Sequence, residues 1–464
     1  MEIVIGLILL ICVYVLAILY LRRLDSEIHW DWKTIDTDDL HFPDNFLWGT
    51  AMAAYQVEGG CTNNNWNEWE RATDSDGRPR IRNGAVVGAA CDHWNRYEDD
   101  IRLIKDLGLK AYRFSLEWSK IEPAEGQFDQ AVLKHYSNVI DAILKAGIEP
   151  MITLYHFTHP IWFRQLGAFE KIENIDHFQR FCERVFNEYS DRVPKWCTIN
   201  EIEVEATQSY FTGDWPPGEQ DGQIMGKVMR HLLEAHVRVY RALKSLPNGE
   251  KVQIGLVKNI FQFDPWRPWH LIDQICCRLL NRVFNGGIIE FFKTGRFRLF
   301  IPGLVNVTHV NRFAISANDF IGLNYYSHLV VKFKWDPQDF FQFRLRPRET
   351  PTDMDYTIYP EGFYRALKQI GKLGLPIYVT ENGIADHRDD RREHYIRRYL
   401  YALSKAIVTG SDVRGYFYWS LLDNFEWSEG YSMKFGLYKV DFESQKRVLR
   451  DGAVAYREII TRHG

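Results

Sequence analysis

Pro376-Ile-Tyr-Val-Thr-Glu-Asn-Gly383 is the stretch on which the reading of the fold turns. A short apolar and β-branched run, bounded by Pro and Gly, is the pattern of a parallel strand buried on both faces. Here the run ends in a carboxyl and an amide. Trp196-Cys-Thr-Ile-Asn-Glu201 repeats the pattern, apolar first and acid last. Two strands that finish on glutamates place both acids on one side of whatever sheet they share.

Working outward, six further runs have the same character: Phe46–Ala53, Ala111–Trp118, Glu149–Phe157, Val252–Asn259, Asp319–Ser327 and Val413–Leu421. Helical stretches lie between most of them. Asp92–Leu107 carries apolar residues at Ile101, Ile104 and Leu107, and Gln130–Ala146 and Ile175–Arg192 have similar stripes. Gly108 and Gly147 stand where helix stops belong. Eight strands alternating with helical crossovers predict an α/β fold, a closed (β/α)8 TIM barrel rather than an open sheet. A bare barrel needs about 250 residues. The chain has 464, so long inserted loops are expected, at Gly59–Cys91, Phe261–Phe313 and Val331–Tyr359. No short-period repeat, low-complexity tract or second-domain linker interrupts the body.

Composition excludes some partners. Lys and Arg total 57 against 61 Asp and Glu, a formal charge of -4. No basic excess is available to neutralise phosphates, which argues against nucleic acid. Seven cysteines follow no C-x-x-C or regular spacing. They read as reduced, mostly buried thiols, and adjacent Cys276 and Cys277 are poorly placed to bridge each other. No metal-ligand spacing stands out, and no cofactor is implied. Aromatics make up 15% of residues. Core plugs account for most of them, although flat rings also pack well on pyranose C–H faces.

The N-terminus differs from the rest. Ile3 to Leu21 is 19 residues without a charge, and at about 1.5 Å rise per residue it matches a hydrocarbon core of roughly 30 Å. A cleaved signal peptide wants Lys or Arg before a shorter run and a small-residue cleavage site. Here Glu2 precedes the run, Arg22-Arg23 follow it, and no such site is present. Residues 1–24 are therefore expected to be a retained single-pass anchor, with the signal peptide and a buried soluble helix as competing readings. The arginines after the run place the body on the cytoplasmic face. One glycosylation-type triplet, Asn306-Val307-Thr308, is too common by chance to reverse that. Residues 25–41 read as a juxtamembrane linker, whose HWDW segment (His29–Trp32) docks either on the body or on the membrane interface. Residues 42–464 form the barrel domain.

Polar residues collect at the strand ends, where such barrels carry their chemistry. Besides Asn200, Glu201 and Glu381, His156 ends the third run, Asn324 and Tyr326 end the sixth, and Arg113 lies within the second. Singly, each has an ordinary explanation: a helix cap, a buried ion pair, a core histidine. Their convergence on one mouth shifts the balance. Two carboxyls at one mouth suit glycoside hydrolysis, in which one acid protonates the leaving oxygen and an ionised partner attacks the anomeric carbon.

At these motifs the chain resembles glycoside hydrolase family 1, the β-glucosidase and β-galactosidase family. The resemblance runs from Phe42 to the C-terminus, through Phe42–Gly60, Cys91–Pro123, Thr153–Phe157, Thr198–Glu201, Gly322–Tyr326, Tyr378–Gly383 and Tyr418–Phe442, in family order. It implies Glu201 as acid/base, with a raised pKa in the free enzyme, and Glu381 as nucleophile, hydrogen-bonded by Arg113 and Tyr326. Asn200 is implied to hold the sugar 2-hydroxyl, and Gln56, His156, Glu426 and Trp427 the 3-, 4- and 6-hydroxyls. Trp419 is the platform under the ring, and Phe435 closes the site. The 6-phosphosugar branch carries Ser, Lys and Tyr near the Glu426, Trp427 and Phe435 positions, so an unphosphorylated gluco- or galacto-type sugar is implied.

Four positions depart from the pattern. Ile202 follows Glu201 where Pro is usual, Thr158-His159-Pro160 replaces Asp-Leu-Pro, Leu166-Gly167-Ala168-Phe169 replaces Gly-Gly-Trp, and Lys120 replaces Arg. The first three are expected near the aglycone side. The expected activity is hydrolysis of a small-molecule or lipid-linked β-glycoside. Glycosyl transfer by the same two glutamates and a non-catalytic binding relative are the alternatives. Oligomeric state is not legible.

Overall fold

The computed structural model describes residues 1–24, 26–336 and 341–464. Asp25, in the juxtamembrane stretch, and residues 337–340 of the Val331–Tyr359 insertion lie outside the described residues. Eight strands close into a barrel: β1 (Leu47–Met52), β2 (Ala111–Ser115), β3 (Glu149–Tyr155), β4 (Lys195–Asn200), β5 (Gln253–Asn259), β6 (Phe320–Asn324), β7 (Ile377–Asn382) and β8 (Val413–Trp419). Neighbours pair in chain order, all parallel, and β8 pairs back onto β1. Each falls inside, or within one residue of, one of the eight runs read from the sequence.

The main helices are α1 (Glu2–Leu24), α2 (His93–Asp106), α3 (Gln130–Lys145), α4 (Ile175–Tyr189), α5 (Gly222–Ser245), α6 (Leu271–Leu280), α7 (Gly287–Thr294), α8 (Pro360–Ile370), α9 (Arg392–Val408) and α10 (Val454–His463). Local chemistry sets their ends. Asp129 accepts from the Ala131 and Val132 amides at the start of α3, a cap worth about 1 kcal/mol. Gly108 and Gly147, with φ of +77° and +76°, turn the chain out of α2 and α3.

The strands are apolar throughout because they are buried twice. One face packs under the helices, where Trp118, Phe178, Phe181 and Trp196 are fully enclosed. The other faces the lumen, which Met151, Cys197, Phe320, Tyr378 and Phe417 fill. At Gly255 a Cβ would meet Phe320 O at 2.4 Å, so only glycine lets β5 and β6 approach there. The lumen is thus a packed plug below, and only its upper end is polar.

One expectation is corrected. The Phe261–Phe313 stretch is not a loop. It folds as a short strand (Gln262–Pro265), α6, α7 and a hairpin of Arg296–Ile301 with Val305–Val310. The hairpin's first strand alternates exposed and buried residues, the period-2 signature of a half-covered strand. The Gln262–Pro265 strand joins His328–Phe333 and Phe341–Arg344 in a small sheet. Because that sheet continues directly from the ends of β5 and β6, it stands on the mouth side of the barrel. Of the departures from the family pattern, Ile202, Thr158, His159, Ala168 and Phe169 are buried, and Leu166 and Gly167 are half-buried. Phe169 packs on Tyr155 and Phe163, and Thr158 donates to Glu117. They help to shape the wall around the mouth.

The juxtamembrane segment docks on the body. The Trp30 amide and Trp32 Nε1 both donate to Glu361 Oε1 at 2.9 Å, and Glu27 pairs with Arg346. Glu27, Asp264 and His328 lie close enough to hold a metal ion. Instead, guanidinium groups of Arg346 and Arg365 donate into this acidic group, and His328 sits between Asp264 and Glu349. The cluster is a charged clasp between linker and barrel.

Candidate active site

The polar mouth is built from the strand ends. Glu201 immediately follows β4, and Glu381 is the penultimate residue of β7; they are 6% and 4% exposed. The backbone is irregular at both places. Register slips between β4 and β5 over Cys197/Asn200, and between β7 and β6 over Val379/Glu381. Glu201 itself is left-handed, with φ of +45°. Such slips re-aim a side chain, and strained non-glycine residues of this kind cost roughly 1–3 kcal/mol. Phe157 and Trp427, also at the mouth, share the positive φ. Gly383 answers a different demand: a Cβ there would lie 1.7 Å from Trp419 O, so the Glu-Asn-Gly corner closes against β8 only with glycine.

Glu381 is held by two donors, one charged and one neutral. Arg113 Nη1 donates to Oε1 at 2.6 Å and Tyr326 Oη to Oε2 at 2.7 Å. Arg113 is itself fixed by donating to Thr153 Oγ1 at 2.9 Å and to Asn200 Oδ1 at 2.7 Å. Both partners of Glu381 donate, so both stabilise its anion. Burial, and then the charge of Glu381, push the Tyr326 phenol well above its ordinary range, so it stays a donor.

Glu201 has neutral neighbours. Asn324 Nδ2 and Asn259 Nδ2 each donate to Oε1 at 2.8 Å, and Oε2 is free of both. Burial first, then the negative charge of Glu381, raise its pKa to about 8. The carboxyl is therefore protonated at neutral pH. The two acids are joined through Glu201–Asn324–Asn200–Arg113–Glu381, with Asn324 Nδ2 reaching Asn200 Oδ1 at 3.2 Å.

The remaining sequence-predicted residues lie around this pair. Asn200 Nδ2 is 3.3 Å from His156 Nε2, and burial beside Arg113 keeps that imidazole neutral. The His156 ring stacks near Trp419 and Trp427, at 6.0 and 5.9 Å between centroids. Gln56 Nε2 donates to Asn424 Oδ1, Phe425 O and Glu426 Oε2 at 3.1, 2.9 and 3.2 Å. Trp419 donates to Glu426, whose pKa rises to about 8 through burial and then the Glu381 charge. Phe435 meets the Tyr326 ring edge at 5.9 Å. All twelve residues are thus brought to one mouth. Asn259 and Asn424 were missed. Asn259 ends β5 just as Asn324 ends β6, and that parallel was the available signal; Asn424 carried none.

A closed parallel barrel with two buried carboxyls at its C-terminal mouth, one held by a guanidinium and a phenol and the other by neutral amides, is the architecture of a glycosidase. The comparisons with known proteins agree. The family model of glycosyl hydrolase family 1 matches residues 39–464. Over 452 residues the chain is 34% identical to β-glucosidase A of Thermotoga maritima, covering 91% of this chain and 98% of that protein. It is 28% identical to a β-galactosidase of Pyrococcus woesei, over 91% and 98%. Among solved structures, a β-glycosidase from Pyrococcus horikoshii superposes with a TM-score of 0.81 at 36% identity, over 91% and 96%. The T. maritima β-glucosidase in complex with glucoimidazole gives 0.82 at 32%, over 91% and 99%. The chain belongs to glycosyl hydrolase family 1.

Proposed function

We propose that the protein is a retaining β-glycosidase that hydrolyses terminal, unphosphorylated β-D-glucosides or galactosides by double displacement. The observation that carries this reading is the contrast between the partners of the two acids: a guanidinium and a phenol donate to Glu381, and two neutral amides to Glu201. Glu381, gripped by Arg113 and Tyr326, attacks the anomeric carbon. Glu201, protonated at neutral pH, gives its proton to the departing oxygen. The covalent glycosyl ester that forms removes the charge of Glu381. Glu201 then becomes more acidic and, as its anion, takes a proton from the attacking water. The ester breaks and the sugar leaves with its original configuration.

The surrounding residues supply the sugar subsite. Asn200, already tied to Arg113 and Asn324, is placed for the 2-hydroxyl, where contact strengthens in the transition state. Gln56 Oε1 is buried without a hydrogen-bond partner. A buried orphan acceptor is costly unless a ligand completes it, and a sugar hydroxyl does so. The Glu426 carboxyl at the same place offers a phosphate no compensating cation, and a phosphate beside it would add a second negative charge wherever it ionises. Trp419 forms the platform. The T. maritima relative has been solved with glucoimidazole, castanospermine and deoxynojirimycin, which supports a sugar-sized ligand here.

The anchor refines the substrate. Residues 1–24 cross a bilayer as α1, 23 residues long and apolar, with the barrel on the cytoplasmic face. Glu27 is clasped to the mouth-side sheet only three residues beyond Leu24. Three residues span at most about 11 Å, so the mouth's edge stays close to the leaflet. That supports a β-glycoside carried on a lipid or other amphiphile. The test is trapping with a 2-fluoro sugar bearing a good leaving group, followed by peptide mapping. A label on Glu381 is expected; a label elsewhere, or none alongside turnover, overturns the assignment. Parallel turnover of aryl glycosides and short-chain glycosylceramides reads the aglycone. Product analysis with a competing acceptor reports transfer against hydrolysis.

A further inference from the structure

The insertion between β5 and β6 touches the anchor, and the place where it does so is informative. Tyr14 Oη donates to Trp269 O at 3.0 Å, and Arg22 lies over the Trp269 ring at 4.5 Å. Ile18, between them, is 1% exposed and the one buried side chain of α1. Body and anchor therefore meet along the last turns of α1, at the start of α6. If residues 3–21 span the bilayer, Tyr14 lies roughly 10 Å inside the end of the span. That is about the depth to which an interfacial amphipathic helix sinks.

The outer face of α6 has the chemistry for that position. Ile275 and Leu279 are 50% and 40% exposed, one turn apart. Two adjoining hollows of about 520 and 290 Å³ flank Leu279, the first toward Gln369, the second toward the Arg296–Ile301 strand and Phe300. Arg278 and Arg282 line the first, and Arg282 and Arg298 the second. No acidic side chain lines either hollow among the described residues. None of these three arginines has an ion-pair partner among the described residues, and Arg278 Nε is buried without any hydrogen bond. Trp269 and Trp335 stand 56% and 88% exposed near the start of α6, with the Phe333 amide bonded to Asp273. Exposed tryptophans, an apolar helix stripe and unpaired arginines are together what an anionic bilayer surface recognises.

We propose that this groove, between α6 and the Arg296–Val310 hairpin, docks on the anionic leaflet through which the anchor passes and takes phospholipid phosphates on Arg278, Arg282 and Arg298. The inference rests on the reading of α1 as a membrane span. A tethered barrel would tumble over its leaflet; a docked one holds a fixed tilt, with its mouth at constant height above the lipid.

The test uses the full chain in nanodiscs of phosphatidylcholine alone, or of phosphatidylcholine mixed with phosphatidylglycerol, read by amide hydrogen exchange. With roughly 30- to 150-fold in the docking equilibrium contributed by two or three interfacial arginines, exchange across Leu271–Leu280 and Arg296–Ile301 is expected to slow at least about tenfold in the anionic discs. High salt, R278Q/R282Q/R298Q, or the exposed pair R282Q/R298Q should abolish that slowing, while α8 exchanges as before and so reports an intact fold. Equal exchange in both lipids, or slowing that survives the substitutions, overturns the docking. Protection already present in detergent and rising with protein concentration assigns the groove to a second copy instead, and overturns it too. Alkaline carbonate extraction separates the premise: a chain released from the membrane loses the anchor reading and the docking together, whereas a retained chain with equal exchange loses only the docking.

Discussion

Glu201 and Glu381 end neighbouring halves of one barrel and are equally sunk, yet they are held by opposite kinds of neighbour. At the end of β7 the carboxylate meets a guanidinium and a phenol, both donating at 2.6–2.7 Å. At the end of β4 it meets two amides on a single oxygen and the field of the other acid. Burial alone raises a carboxyl's pKa. What separates the two is whether a cation compensates that burial. One fold thus makes a base and an acid from the same side chain, and the comparison can be broken one neighbour at a time.

The largest effect is expected at Glu381. Glu381→Gln removes the attacking oxygen and leaves Arg113 facing a neutral amide. Both displacements are lost, and kcat should fall at least about 10⁴-fold for every leaving group. Glu201→Gln should behave differently. General acid catalysis is worth about 10²–10⁴-fold, and that loss should appear in full with alkyl glycosides. An activated aryl leaving group needs no proton, so its first step should survive. Rapid-quench measurements should then show a burst of phenol followed by slow turnover, because the missing base still limits hydrolysis of the ester. An equal loss with both leaving groups would erase the proposed division of labour.

Tyr326→Phe tests the nucleophile's side more gently. It removes one of two donors to a buried anion, a bond worth about 1.5–3 kcal/mol. We expect kcat/KM to drop about 10–100-fold with the fold intact by circular dichroism. A change below threefold would mean that Arg113 alone suffices to hold the attacking carboxyl.

Much of this contrast was legible before any coordinates. The eight strands were readable because burial on both faces writes an apolar run that ends abruptly where the mouth begins, as at Trp196–Glu201 and Pro376–Gly383. Asn200, Glu201, Glu381, His156, Asn324, Tyr326, Arg113 and Trp419 followed because each lies in or ends such a run, whereas Gln56, Glu426, Trp427 and Phe435 came only from the family resemblance. The misses share a cause, namely that meaning lay in a distant partner. Asn259 ends its run as Asn324 does, but its bond to Glu201 shows only once β5 is seen beside β4. His29–Trp32 docks through Glu361, about 330 residues away, which no local pattern encodes. Thr158 and His159 sit at a motif's edge, yet Glu117 and Tyr155 draw them into the wall. The Phe261–Phe313 insertion holds short elements whose stripes are half exposed, and such stripes resemble loops.

Asn259 also offers the finest test of the comparison. Its Nδ2 donates to Glu201 Oε1 and so favours the ionised form, opposing burial and the charge of Glu381. In the unaltered enzyme Glu201 must be protonated to act as acid, so kcat/KM for an alkyl glycoside should decline as pH rises through about 8. Asn259→Ala removes a stabiliser of the anion. The pKa of Glu201 must then rise, and the descending limb of the pH profile should move to higher pH, with little loss at neutral pH where the acid is already protonated. Asn259→Asp should push the limb further the same way, because a second carboxylate opposes ionisation more strongly than a missing amide. A limb that moves to lower pH in either variant would mean that it reports another group, Glu426 being the nearest with a similar pKa. Repeating the profile in Glu426→Gln separates the two: the limb stays in place if Glu201 sets it and vanishes if Glu426 does.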